Sequence, residues 1–232
     1  MNNIVLDSNV IAIFVSFGTL LFSIFKFYKQ DKINSRDEQV KFANQQNLKN
    51  YSIYIENKHK RLIEVTDNMV IALGHVNDVA SVFQQKIDYA KYSESQIVKY
   101  IENLNINDEE KHLIKRLLAS DKDAAIKRIY YWEDQIRCHE AKRLTAVFRQ
   151  SLLNARLYIA EENYLIIDRF VVDLFEVVQL VVDCNKGIYT NSKEDYELAH
   201  LRIEKEKSIN SSFDSIIAIL RKELEGYSAT KV

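Results

Sequence analysis

The sequence predicts an all-α protein in which a single N-terminal transmembrane helix precedes an elongated, antiparallel helical bundle or coiled coil. The 232 residues contain no proline and only four glycines, so the chain has few residues that favour tight turns. Apolar residues recur at spacings of three, four and seven, which is the period of amphipathic helices. One uncharged apolar run stands near the N-terminus.

This run comprises sixteen residues, from Val10 to Phe25, and ends at Lys26. Both of its helical faces are apolar, which favours a membrane anchor over residues 10–28 rather than a helix with one face in water. A cleaved signal peptide fits poorly, because no Lys or Arg precedes the run and no small-residue cleavage site follows it. The residues expected in the hydrocarbon core are Val10, Ile11, Ile13, Phe14, Phe17, Leu20, Leu21, Phe22, Ile24 and Phe25.

The flanking charges predict the orientation of the anchor. Asp7 is the one charged side chain before the run, whereas several Lys and Arg residues follow it, and positive flanks stay on the cytoplasmic side. We therefore expect a single pass through the inner membrane, with the N-terminus outside and most of the chain in the cytoplasm. The expected segments are 1–9 as an extracytoplasmic N-terminus, 29–47 as a juxtamembrane linker, 48–226 as the bundle and 227–232 as a frayed tail.

The bundle is expected to begin with one helix of about 45 residues, because every seventh residue from Leu48 onward is apolar. Lys58 and Lys86 interrupt the companion seam. The seven apolar positions are Leu48, Ile55, Leu62, Met69, Val76, Phe83 and Ala90.

Further helices are predicted from capping residues and apolar spacing. A short helix is expected over 94–104, and a second one starts after Asn107, with Glu110 three residues on. A long helix is expected over 121–185, with a kink or break near 154–163 as an alternative, and Gly187 is expected to end it. The last helix is expected from residue 191 or 192 to 225. The inward positions of the long helix are Leu144, Phe148, Leu152, Ala155, Ile159, Ile166, Phe170, Leu174, Val177 and Val181.

No motif in the sequence indicates catalysis, and no cofactor is expected. A phosphate-binding loop needs clustered glycines, and the four glycines here are far apart. The formal charge of −1 gives no overall attraction to nucleic acid. One pattern allows a metal site, since Glu-x-x-His is typical of di-iron four-helix bundles, although exposed hydrogen-bonded pairs are the simpler interpretation. The pairs are Glu56–His59, Glu109–His112 and Glu197–His200, with Glu161 or Glu162 as a lone carboxylate.

Three sets of residues are candidates for binding. Lys142, Arg149 and Arg156 form a heptad-spaced basic stripe that could hold a protein partner, and Tyr131 and Trp132 could lie at an interface. A solvated helix face and core packing are the simpler interpretations of these residues. Small residues spaced by four, three and four within the anchor could let two copies self-associate: Ala12, Ser16, Thr19 and Ser23.

These observations favour a non-enzymatic, membrane-anchored scaffold or sensor whose cytoplasmic bundle binds protein partners and can form homo-oligomers. One alternative is a membrane-disrupting effector of a bacterial phage-defence or toxin system, in which clustered anchors damage the lipid bilayer. A second alternative is a helical-bundle di-metal enzyme.

Overall fold

The computed structural model describes residues 8–81, 86–188 and 194–225, and these residues are almost entirely helical with no strand. The all-α prediction is therefore confirmed. The α-helices are α1 (Ser8–Ala80), α2 (Glu94–Asn103), α3 (Asp108–Ser120), α4 (Lys122–Ala155), α5 (Glu161–Ile188) and α6 (Glu194–Glu225). Two short 3₁₀ turns lie at Tyr89–Lys91 and Arg156–Tyr158.

The chain divides into two compact units, Met1–Asn57 and Lys58–Val232, and α1 contributes residues to both. In the first unit the predicted linker, residues 29–47, is helical, and the side chains described there are exposed. Among the residues searched, which are those the structure describes, no helix is long and apolar enough to cross a membrane.

Most side chains of the predicted anchor lie outside the described residues. Phe25 is the one predicted anchor residue whose side chain is described, and it is 65% exposed. Of the predicted self-association face, Thr19 and Ser23 are exposed, and the Ser23 hydroxyl donates to the Thr19 carbonyl at 2.8 Å. The other side chains of both sets lie outside the described residues.

The second unit contains a four-helix bundle made of the C-terminal part of α1 together with α4, α5 and α6. Pairs of side-chain contacts show that neighbouring helices run antiparallel. α4 contacts α5 at Lys142–Gln179 and Arg149–Asp168, α5 contacts α6 at Glu176–Lys205 and Asn163–Glu223, and α6 contacts α1 at Asn210–Asn77 and Glu223–Lys58. Such up-and-down packing buries one face of each helix in a shared core. The largest fully buried side chains of this core are Leu62, Met69, Phe148, Leu152, Ile167, Leu174, Ile209 and Ile216.

A cap inserted between α1 and the bundle part of α4 has its own apolar core. It consists of the Tyr89 turn, α2, α3 and the first turns of α4, and each of the three helices begins at a side-chain cap. The Asn107 amide oxygen accepts the Glu110 N–H at 2.8 Å, as predicted. The buried residues of the cap are Tyr89, Ile97, Ile101, Leu104, Ile114, Leu118, Ala125, Ile126 and Ile129.

The first predicted helix differs from α1 at both ends. α1 begins forty residues earlier than expected, at Ser8, and ends at Ala80 rather than near residue 90. Leu62, Met69 and Val76 are buried as predicted, but Leu48 and Ala90 are exposed. Apolar spacing continued beyond the helix end because the segment after it enters the cap, where Tyr89 is buried instead. Phe83 lies outside the described residues.

The long predicted helix is broken, which confirms the alternative of a break near 154–163. α4 ends at Ala155 and α5 begins at Glu161. Ile166 was expected to face inward but is 50% exposed, and Ile167 is buried in its place. Ile166 and Ile167 lie four and three residues before the buried Phe170, and helical spacing allows either, so the error is confined to the first turns of α5. Phe170, Leu174, Val177 and Val181 are buried as predicted. α5 continues to Ile188, three residues beyond the predicted end at residue 185, so Gly187 lies within the helix instead of ending it.

Candidate functional site

A polar layer on α4 separates the core of the cap from the core of the bundle. The N-terminal turns of α4 bury Ile126 and Ile129 in the cap, and its later turns bury Cys138 and Phe148 in the bundle. Between these two stretches the buried α4 residue is Asp134, and 8% of the surface of the whole residue is exposed. A carboxylate at a buried position requires compensating partners, so this layer is where polar chemistry concentrates.

Two cations share the Asp134 carboxylate. The Lys86 ammonium donates to Oδ2 at 2.9 Å and the Arg137 guanidinium donates to Oδ1 at 2.6 Å. The Asp134 side chain is 11% exposed, whereas those of Lys86 and Arg137 are 36% and 32% exposed. The Lys86 ammonium also lies 5.2 Å from the ring centroid of Tyr130. The cations are therefore much more accessible to solvent than the anion that holds them.

Glu133, the neighbour of Asp134, is held by neutral donors instead of cations. The phenol hydroxyls of Tyr89 and Tyr100 both donate to Glu133 Oε1. Burial raises the pKa of both phenols, and the hydrogen bonds to Glu133 raise the pKa of each further. Both tyrosines therefore stay protonated at neutral pH and act as hydrogen-bond donors.

A cavity of about 460 Å³ opens beside the polar layer, where α2, α4 and the segments at 86–87 and 104–105 meet. It adjoins a cavity of about 280 Å³ with which it shares Ile87, Tyr100 and Asn103. Its lining residues are Lys86, Ile87, Tyr100, Asn103, Leu104, Asn105, Glu133, Ile136 and Arg137. The lining combines cations, amides, a phenol and apolar side chains, a mixture typical of small-ligand sites.

A third cavity, of about 600 Å³, lies on the other side of Asn105 and Ile136. Gln135 lines it, and the Gln135 amide nitrogen is buried with no hydrogen-bond partner within the described part of the chain. An unpaired buried donor is costly unless water or another polar group satisfies it, so the Gln135 amide is a second polar group without full compensation at this level of α4.

The thiol nearest to the polar layer is a poor nucleophile. Burial raises the pKa of Cys138 to about 11, and the nearby Asp134 carboxylate adds to this effect. Because the thiolate is the reactive form of cysteine, Cys138 is suited to packing rather than to covalent chemistry.

The residues proposed as metal ligands are not brought together. Their side chains are exposed: His200 lies 3.6 Å from Glu204 instead of Glu197, and Glu161 pairs with Arg156 at 3.0 Å. Among the described residues, no group of three or more His, Cys, Asp or Glu side chains could hold a metal ion. The exposed positions are Glu56, His59, Glu109, His112, Glu161, Glu162, Glu197 and His200.

The basic stripe lies along the contact between α4 and α5, where each of its members has a partner on α5. The Lys142 ammonium donates to Gln179 Oε1 at 2.8 Å, and Arg149 lies 3.7 Å from Asp168. Arg156 pairs with Glu161, and its guanidinium lies 4.9 Å from the ring centroid of Tyr164. These contacts join the two helices, so the stripe is engaged within the chain.

The predicted aromatic pair belongs to the surface of the cap. Tyr131 and Trp132 are partly buried, and their rings meet edge to face at 5.5 Å. The Trp132 indole donates to Glu110 Oε2 at 3.0 Å, and Arg128 donates to both oxygens of the same carboxylate. These contacts connect α4 to α3 and position the start of the polar layer.

Sequence reasoning missed Tyr89, Tyr100, Glu133 and Asp134. Their one visible signal was Lys86, which interrupted an apolar seam and turns out to be the partner of Asp134. Lys58, the other interruption, is itself buried and lies 3.6 Å from Glu223. In both cases a charged residue at an expected core position indicated an ion pair whose carboxylate is largely removed from water.

Comparison of the chain with protein-family models, with curated proteins and with solved structures finds no match.

Proposed function

We propose that this chain is a non-enzymatic, membrane-anchored sensor whose helical bundle binds protein partners. The observation that carries the proposal is the polar layer at Asp134, with a cavity beside it, between two separate apolar cores. A ligand in this cavity would contact α2, the segment at 86–87 and the polar layer of α4 at once, and its binding energy would favour one arrangement of these elements. The uncharged run from Val10 to Phe25 supports the membrane anchor.

Fractionation of the full-length protein tests the anchor. We expect the wild-type chain in the membrane pellet after an alkaline carbonate wash, and we expect Phe14→Asp/Leu21→Asp to move to the supernatant, because each charge opposes insertion by about 2.5 to 3.5 kcal/mol. Phe42→Asp is the matched control, since Phe42 is exposed and outside the run. A wild-type chain that leaves the membrane in the carbonate wash would contradict the proposal.

Crosslinking of the full-length protein in membranes tests whether the bundle binds protein partners. We expect species above the monomer mass that contain a second copy or another protein, and recovery of the monomer alone would count against partner binding. Expression should leave the membrane potential intact. Loss of the membrane potential would instead favour the membrane-disrupting effector.

A further inference from the structure

The cavity of about 460 Å³ has a charge distribution that favours an anion. Lys86 and Arg137 converge there because each donates to one oxygen of the same carboxylate. Their side chains are about three times as exposed as that of Asp134, so of these three charged groups the two cations are the more accessible to a ligand. The second acid, Glu133, already accepts hydrogen bonds from two phenols, which reduces its repulsion of an incoming anion.

The rest of the lining favours a flat ring with polar edges. Ile87, Leu104 and Ile136 supply apolar walls, and Tyr100 supplies an aromatic side chain. Asn103 donates its amide nitrogen to the Lys99 carbonyl at 3.0 Å, so its amide oxygen is the atom suited to accept from a ligand. Asn105, which is exposed at the other edge of the cavity, can both donate and accept.

We propose that this cavity binds a small organic anion with a nitrogen-containing aromatic ring, the chemistry of a nucleoside monophosphate. Lys86 and Arg137 hold the anionic group, Asn103 and Asn105 hydrogen-bond the ring edge, and Ile136 and Tyr100 pack on the ring. The volume lies within the range of about 300 to 1,000 Å³ that small-molecule sites occupy. The inference rests on the proposed sensor function and names the ligand class of its site.

The test uses full-length protein in detergent, with binding measured by calorimetry and by the shift in unfolding temperature. The probes are adenosine and guanosine monophosphates, cytidine and uridine monophosphates, the four unphosphorylated nucleosides, and inorganic phosphate. We expect at least one monophosphate to bind, with its nucleoside and phosphate alone each weaker by about tenfold or more, because each lacks half of the contacts. Absence of monophosphate binding, or equal binding of the nucleoside, would overturn the proposal.

Two variants test whether the ligand binds in the cavity. Arg137→Gln removes one cation and should weaken monophosphate binding by about tenfold or more, while Arg149→Gln, on the exposed side of the same helix, should leave it within twofold. Ile136→Trp fills the cavity without changing a charge and should also abolish binding, with Val147→Trp as its control. Wild-type affinity in a folded Ile136→Trp protein would refute the site.

The result of this binding test can be distinguished from the results of the fractionation and crosslinking tests of the sensor proposal. A protein that stays in the carbonate-washed membrane and forms crosslinked species but binds no monophosphate refutes the ligand class alone. A protein that binds a monophosphate but leaves the membrane refutes the anchor alone.

Discussion

The bundle and the cap bury apolar side chains in different ways. The bundle core contains twenty-six described buried residues from four long helices, and the cap core contains nine from short elements. The cap compensates with side-chain hydrogen bonds: Ser93, Asn107 and Asp121 each start a helix, and Glu110 and Glu133 each accept from two or more side chains. The bundle therefore depends mainly on packing, and the cap depends on packing and on specific polar contacts.

This difference implies that the two regions open at different free energies. Local stability follows the number of buried apolar contacts, so the cap should open before the bundle unfolds. The polar layer around Asp134 lies at the boundary between the cap and the bundle. A region that opens locally at low cost is also one that a ligand can reorganise, which fits the cavity at this position.

The largest expected effect comes from a packing defect in the bundle. Phe148 has no solvent exposure and meets Phe170 edge to face at 6.5 Å. Phe148→Ala should lower the free energy of unfolding by about 3 to 5 kcal/mol in a urea titration followed by circular dichroism. The adjacent Val147 is 39% exposed, and Val147→Ala should cost far less. Equal losses for the two variants would contradict the assigned core.

The next effect concerns the polar contact at the far end of the bundle. Glu223 accepts the Ala160 N–H at 3.0 Å and the Asn163 amide at 2.7 Å, and it compensates the buried Lys58. Glu223→Gln should lower the free energy of unfolding by about 1.5 to 3 kcal/mol at pH 7, since hydrogen bonds to a charged acceptor are lost. Glu225→Gln, in the same last turn of α6, is the control.

The same contact predicts a pH dependence. Burial raises the pKa of Glu223, but the hydrogen bonds from Asn163 and Ala160 and the charge of Lys58 lower it more, so the pKa of Glu223 in the folded protein lies below the usual glutamate value of 4.5. Its stabilisation is therefore present above pH 4.5 and is lost as the pH falls through the folded pKa. The difference between wild type and Glu223→Gln should shrink at acid pH. A difference that is constant down to acid pH would show that the charge of Glu223 does not contribute.

A smaller effect is expected in the polar layer. Tyr89→Phe removes one donor to Glu133 and should cost about 1 kcal/mol, measured as faster hydrogen exchange in α2 and α3 with little change in α5. Tyr92 is 44% exposed, and Tyr92→Phe serves as the control. Exchange that accelerates equally in the cap and in the bundle would show that the two regions open together.

Alkaline pH provides an independent test of the buried phenol. Burial raises the pKa of Tyr89 above its usual value of 10, so above this pH the unfolded chain releases a proton that the folded chain retains. Wild-type stability should therefore fall as the pH rises beyond 10, and Tyr89→Phe should reduce the fall. An identical alkaline profile in the variant would indicate that Tyr89 is accessible to solvent.

The smallest effect is expected on the surface of the bundle. Arg149 is about half exposed and lies 3.7 Å from Asp168, a geometry in which an ion pair contributes little. Arg149→Gln should change the free energy of unfolding by less than about 0.5 kcal/mol. A loss comparable to that of Tyr89→Phe would mean that polar contacts matter to the bundle as they do to the cap.

Helical periodicity was enough to predict much of this fold. Leu62, Met69 and Val76 on α1, and Leu174, Val177 and Val181 on α5, are buried as their spacing indicated, because one face of a long helix must leave water. The Asn107 cap was also predictable, since it depends on residues three apart. Both are local patterns, and a local pattern can be read from the chain alone.

The candidate site was not predictable, because its members come from distant parts of the chain. Lys86 and Asp134 are 48 residues apart, and Tyr89 and Glu133 are 44 apart, so no spacing rule connects them. The misassigned Ile166 has a related cause, since Ile166 and Ile167 both lie at a helical spacing from Phe170, and packing against neighbouring helices selects Ile167. Contacts between helices determine which side chains meet in the candidate site and which of two neighbouring positions is buried, and periodicity within one helix does not contain this information.

The reversal between α4 and α5 has a consequence for synthesis on the ribosome. No glycine or proline lies between Asp121 and Asn185, and Glu223 from the last helix supplies the acceptor for the Ala160 N–H. While α6 is still inside the exit tunnel, α4 and α5 can already pack through Phe148 and Phe170, but the Ala160 N–H lacks its acceptor. We expect the hairpin of α4 and α5 to form first during synthesis, and its reversal to gain this hydrogen bond when α6 packs against it.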